Sequence, residues 1–147
     1  VERAQVQLCQ NNRERAKRLI SSALELNPKL ASAYFVRAKL LSREGNFGEA
    51  TRALEEASKL EPQSTVHRFN LVKLYMHNNR IADAIRELKT ILDLSKNDTE
   101  KQSEALLTLG KCYVSTNNIG LAREQLVKLR TIGDNDKAMQ LVRLIDR

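Results

Sequence analysis

Few side chains in this sequence have the type and spacing that catalysis or metal binding requires. The two histidines, His67 and His77, stand ten residues apart. A helical metal pair needs i, i+4 spacing, so both are expected to be solvent-exposed helix residues. Asp134-Asn135-Asp136 opens like a calcium loop but has neither the downstream Gly nor the terminal Glu, and it reads better as a helix cap. Cys9 and Cys112 lack C-x-x-C spacing and are expected to be small buried or half-buried thiols. Glu55-Glu56 reads as part of a solvated helix face. Neither a phosphate-binding glycine loop nor an H-E-x-x-H pair is present. The expectation is a chain that is not an enzyme and needs no metal or cofactor. One set of groups does recur: Lys39, Lys73 and Lys111, at steps of 34 and 38 residues. Ammonium groups held in register would suit carboxylates along a bound peptide.

The elements that position these residues follow from composition. The 147 residues include three Phe, three Tyr, no Trp, five Gly and two Pro. So few turn residues cannot punctuate an all-β fold, and the remainder is rich in strong helix formers. Charged residues break every apolar stretch short of the ~20 residues that span a bilayer. No signal peptide is visible, and the sequence starts at Val1 already in a helical pattern. An upstream targeting segment and the compartment, cytoplasmic or periplasmic and envelope-associated, are both left open. The 25 basic and 18 acidic residues give a net charge of +7. That excess favours an anionic partner, yet it is spread out: residues 31–64 carry five of each sign. Balanced charge and sparse aromatics for base stacking argue against nucleic acid.

Self-similarity organises the whole chain. Asn11-Asn12-Arg13, Gly45-Asn46-Phe47 and Asn79-Arg80-Ile81 are spaced by 34 residues, and Asn117-Asn118-Ile119 follows after 38. Ala16, Ala50, Ala84 and Ala122 stand at matching offsets, followed by Ile20, Leu54, Leu88 and Leu126, then by Ala23, Ala57, Ile91 and Leu129. Leu41, Tyr75 and Tyr113 precede the turns, with Ala38, Val72 and Gly110 three residues earlier. Small residues allow two helices to approach closely, and Gly or Asn permits the positive φ of a helix end. Pro28 and Pro62 close the second helices.

This order of features resembles the tetratricopeptide repeat, most completely in Tyr34, Ala38, Leu41, Gly45, Ala50, Leu54, Ala57 and Pro62. The next unit has Arg68 at the usual bulky position and Lys96 at the usual Pro. The resemblance implies an all-α, right-handed superhelical solenoid of about four hairpins with a C-terminal capping helix, because a lone hairpin cannot bury both faces. First helices are expected near 1–9, 30–44, 64–77 and 99–116, and second helices near 13–26, 47–60, 81–94 and 119–131. A closing helix capped by Asp134 or Asp136 spans about 136–146. In domain terms this is a single domain over 1–147, read as a fragment of a longer chain, with a partial repeat at 1–29, repeats at 31–64, 65–98 and 103–136, and the cap at 136–147. Ser95-Lys96-Asn97-Asp98 adds four residues, read as a longer connection or an extended helix start. Asn97-Asp98-Thr99 matches the glycosylation acceptor pattern, relevant only to a secreted eukaryotic protein.

The resemblance also implies that the first helices line a concave groove. Carrying its phase over gives Ser32, Val36, Lys39 and Arg43, then Val66, Asn70, Lys73 and His77, then Glu104, Leu107, Thr108, Lys111 and Ser115. Asn70 resembles the groove asparagine that bonds a peptide backbone. Val66, Glu104 and Thr108 stand where a two-carboxylate clamp would need basic groups, which disfavours chaperone C-terminal tails. The functional expectation is a scaffold or adaptor holding a protein or peptide segment in the groove, with nucleic-acid binding through the basic surface, or an assembly or regulatory module of a larger protein, as the alternatives, and self-association through the N-terminal edge as a further possibility.

Overall fold

A computed structural model describes residues 2–147; Val1 and the side chains of residues 2, 4, 6 and 8 lie outside the described residues. Among the described residues the chain is all-helical: α1 (Glu2–Leu26), α2 (Ala31–Arg43), α3 (Phe47–Leu60), α4 (Thr65–His77), α5 (Ile81–Leu94), α6 (Thr99–Ser115), α7 (Ile119–Ile132) and α8 (Asn135–Ile145). Each of α2 to α8 lies within about two residues of its expected span.

Hairpin turns account for this agreement. Gly45, Asn79 and Asn117 adopt φ of +82°, +58° and +59°. In each turn the amide of the next residue reaches back five positions: Asn46 N–H donates to the Leu41 carbonyl at 2.9 Å, Arg80 N–H to Tyr75 at 2.7 Å and Asn118 N–H to Tyr113 at 2.7 Å. These bonds satisfy carbonyls that the helix end leaves orphaned, and only Gly or Asn takes the left-handed conformation cheaply. Gly133 ends α7 in the same way at φ +91°.

The first repeat departs from expectation. Asn11-Asn12-Arg13 forms no turn, and α1 runs unbroken through it. Residues 9–15 are all exposed, so no packing against a neighbouring helix offsets the hydrogen bonds that a turn would sacrifice. Asn costs a helix only about 0.5–0.7 kcal/mol relative to Ala, and continuation is the cheaper local choice. At the other irregularity, the connection 95–98 is as long as 61–64. The four additional residues therefore lengthen α6 to 17 residues against 13 in α4.

The chain divides into two units, Val1–His67 and Arg68–Arg147. In the first, α2 packs on α3 through Ala38, Ala50, Ala53, Leu54 and Ala57, all buried. The second encloses Leu106, Leu107, Leu126, Leu129, Ala138 and Leu141 as one core. Each fully buried Leu contributes about 1.5–3 kcal/mol. The closing helix α8 packs on α6 and α7, as a terminal cap does. Asp134 begins it by accepting the Lys137 N–H at 3.1 Å.

Candidate protein-binding surface

First helices are covered on most of their circumference and expose one strip each. On α2 the exposed strip includes Ser32, Val36, Lys39 and Arg43. On α4, Val66, Lys73 and His77 are exposed and Asn70 is half-buried. On α6, Glu104, Lys111 and Ser115 are exposed, while Thr108 is half-buried and donates to the Glu104 carbonyl at 2.9 Å. Residues three and four apart share a helix face, so each set forms a continuous line.

Leu107 does not belong to its strip. It is buried in the core with Leu106 and Leu141. It holds the register position of Phe35 and Phe69, both half-buried, where the strip meets the packed side. His67 is likewise not solvent-exposed: it is 6% exposed, with its ring centroid 5.2 Å from that of Phe35. Its Nε2 lies 2.7 Å from Glu61 Oε2. The Phe35 contact comes from α2, two helices earlier, so no local pattern announces the burial. Phe35 also carries the Lys39 ammonium 4.6 Å from its centroid. That cation–π contact fixes where the charge stands and was legible as a Phe/Lys pair at i, i+4.

Lys17, Lys59, Lys101 and Lys137 each pair with a carboxylate. Among the described residues Lys39, Lys73 and Lys111 form no such pair. Their ammonium groups are therefore open to an external anion. The cysteines behave differently from one another. Cys112 is fully buried, which pushes its thiol up, but Cys9 is exposed, contrary to the expectation of two shielded thiols. It lies on the part of α1 whose neighbour was to have been a hairpin partner. Among the described residues no three His, Cys, Asp or Glu side chains gather as metal ligands. No helix among them is long and apolar enough to cross a membrane.

Phased hairpins that end in a left-handed Gly or Asn, with one exposed strip on each first helix, define a helical repeat protein. Residues 1–64 and 41–103 each match a sequence model described as a tetratricopeptide repeat. The chain belongs to the tetratricopeptide repeat family and is a protein-interaction module. It is 29% identical over 149 residues to a DnaJ homolog subfamily C member 7 homolog of Schizosaccharomyces pombe, covering 95% of this chain and 30% of that one. It is 32% identical over 107 residues to the mitochondrial import receptor subunit TOM70 of Saccharomyces cerevisiae, covering 67% of this chain and 17% of that one. The chain thus spans under a third of the length of these relatives. Its fold is shared with YrrB, a tetratricopeptide repeat protein described as having an unusual peptide-binding site, at a TM-score of 0.67 and 20% identity, covering 97% of this chain and 80% of that one.

Proposed function

We propose that the exposed strips of the first helices dock a partner polypeptide segment that carries carboxylates. The observation that carries this reading is the set of register-matched lysines, Lys39, Lys73 and Lys111, each exposed and, among the described residues, none paired with a carboxylate. Val36 and Val66 are exposed apolar residues beside them and would supply contact area, while the ammonium groups steer approach and orientation. The peptide-binding site of YrrB and the receptor role of TOM70 support a docking function for a chain of this fold.

The test is titration of a labelled acidic peptide against wild-type protein and against K39E, K73E and K111E, singly and together. Each exposed charge contributes up to about 1 kcal/mol at low salt. The triple variant is therefore expected to bind at least ~10-fold more weakly and with a flatter salt dependence. Unchanged affinity and salt slope in the triple variant would remove the reading.

A further inference from the structure

We propose that residues 2–10 act as an exchangeable first helix that docks on α1 of a second copy of this chain. Three observations lead there, the first being a position that repeats. Leu19 is in register with Ala53, Glu87 and Gln125, at steps of 34, 34 and 38. In the next two repeats this position faces the first helix of its own hairpin. Ala53 lines a concavity with Tyr34 and Leu41 of α2. Glu87 accepts a hydrogen bond from Arg68 of α4 at 2.7 Å. Ala53 is 7% exposed and Gln125 3%, whereas Leu19 is 64% exposed. Ala16 and Ala23 are only half-buried, although Ala50, Ala84 and Ala122, and Ala57, Ile91 and Leu129, are fully buried. Thus α1 presents a second-helix face with no first helix upon it.

The second observation concerns what fits that face. In sequence register, Ala4 matches Ala38, Val72 and Gly110, all buried at the close approach within hairpins. Val6 matches Leu40, Leu74 and Cys112. The segment 2–10 carries one acidic and one basic residue, Glu2 and Arg3, so it can settle on an apolar face without burying net charge. It has the make-up of the missing first helix.

The third observation decides whose face it covers. Because α1 is unbroken, at about 1.5 Å per residue its residue 5 lies about 21 Å from residue 19 along one axis. An arm held straight cannot lie on its own helix. Two copies crossing antiparallel near Asn11-Asn12 can each lay the arm on the other, in a closed two-fold arrangement with identical contacts on both sides. An opened hairpin hinge is the usual origin of such exchange, and Asn11, at the register position of the left-handed Gly45, Asn79 and Asn117, is that hinge.

Light scattering coupled to size exclusion, on the full chain over a range of concentrations, tests the arrangement. A dimer fraction rising with concentration is expected. Leu19→Asp changes an exposed side chain, so helicity should be retained while the dimer dissociation constant rises about tenfold or more, as for loss of one buried Leu. Asn11→Ala with Asn12→Ala stiffens the hinge as helix and should strengthen the dimer several-fold. Asn11→Gly lets the turn close within one chain and should shift the population to monomer. A chain monomeric at every concentration, or a dimer indifferent to both Leu19→Asp and Asn11→Gly, overturns arm exchange and leaves the face to another partner helix.

Discussion

The two terminal helices, α1 and α8, end their units in opposite ways. On α8 the apolar side is spent inward: Ala138 and Leu141 are buried in the core of the second unit, and Val142 and Ile145 pack against it. Its outer line of Met139, Gln140, Arg143 and Asp146 has one apolar residue. On α1 the corresponding economy fails, since Leu19 and Leu26 face water at 64% and 89% exposure. Both helices are amphipathic in sequence, and what separates them is a neighbour. Burial in a repeat fold comes from stacking on both sides, so α1, which among the described residues packs only against α2, leaves apolar surface in solvent.

The largest test of this contrast pairs two leucine truncations. Leu141→Ala, at a fully buried position, should cost about 2–5 kcal/mol in urea denaturation. Leu19→Ala, measured at dilution, should stay within about 0.5 kcal/mol. Equal effects would mean that α1 is covered after all. A smaller effect should come from Gly110→Ala. A Cβ there would stand 2.6 and 2.7 Å from the two Leu141 methyl carbons. Leu141 is fully enclosed and cannot swing aside, so α8 must shift; after the helix-propensity gain of Ala, a net loss of about 1–2 kcal/mol is expected by thermal unfolding.

The smallest effect concerns the cap that starts α8. The Lys137 ammonium, 3.0 Å from Asp134 Oδ2, holds that carboxyl below the usual carboxylate range, aided by the Lys137 amide. A carboxyl whose folded value is lowered stabilises the fold fully above its ordinary range, about pH 4, and loses that contribution as pH falls through the lowered value. Asp134→Ala should therefore lower the melting temperature slightly at neutral pH. The difference from wild type should vanish on acidification. A difference independent of pH would show that the carboxylate charge is irrelevant there.

Much of this architecture was written in short-range chemistry. The spans 47–60 and 81–94 were legible because Gly45, Asn79 and the small residues Ala50 and Ala84 mark a turn and a close approach by their own properties. The exposed lysines were legible from helical phase. What escaped depended on distant partners. Asn11 has the chemistry for a left-handed turn but lacks the packing that makes one worthwhile. His67 is buried by Phe35 from another helix. Leu107, at the edge of its strip, belongs to the core that α8 completes. Single-helix periodicity contains none of these neighbours.

The additional turn at the start of α6 bears on how such a chain can change length. Thr99–Gln102 adds four residues, about 400° of helical rotation, so everything downstream is displaced along the axis but turned by only about 40°. Lys111 and Tyr113 consequently keep the same exposed and buried roles as Lys73 and Tyr75. Insertions here are quantised by the helical screw: three or four residues extend the rod and leave its faces aimed as before, whereas two would turn a buried tyrosine toward water.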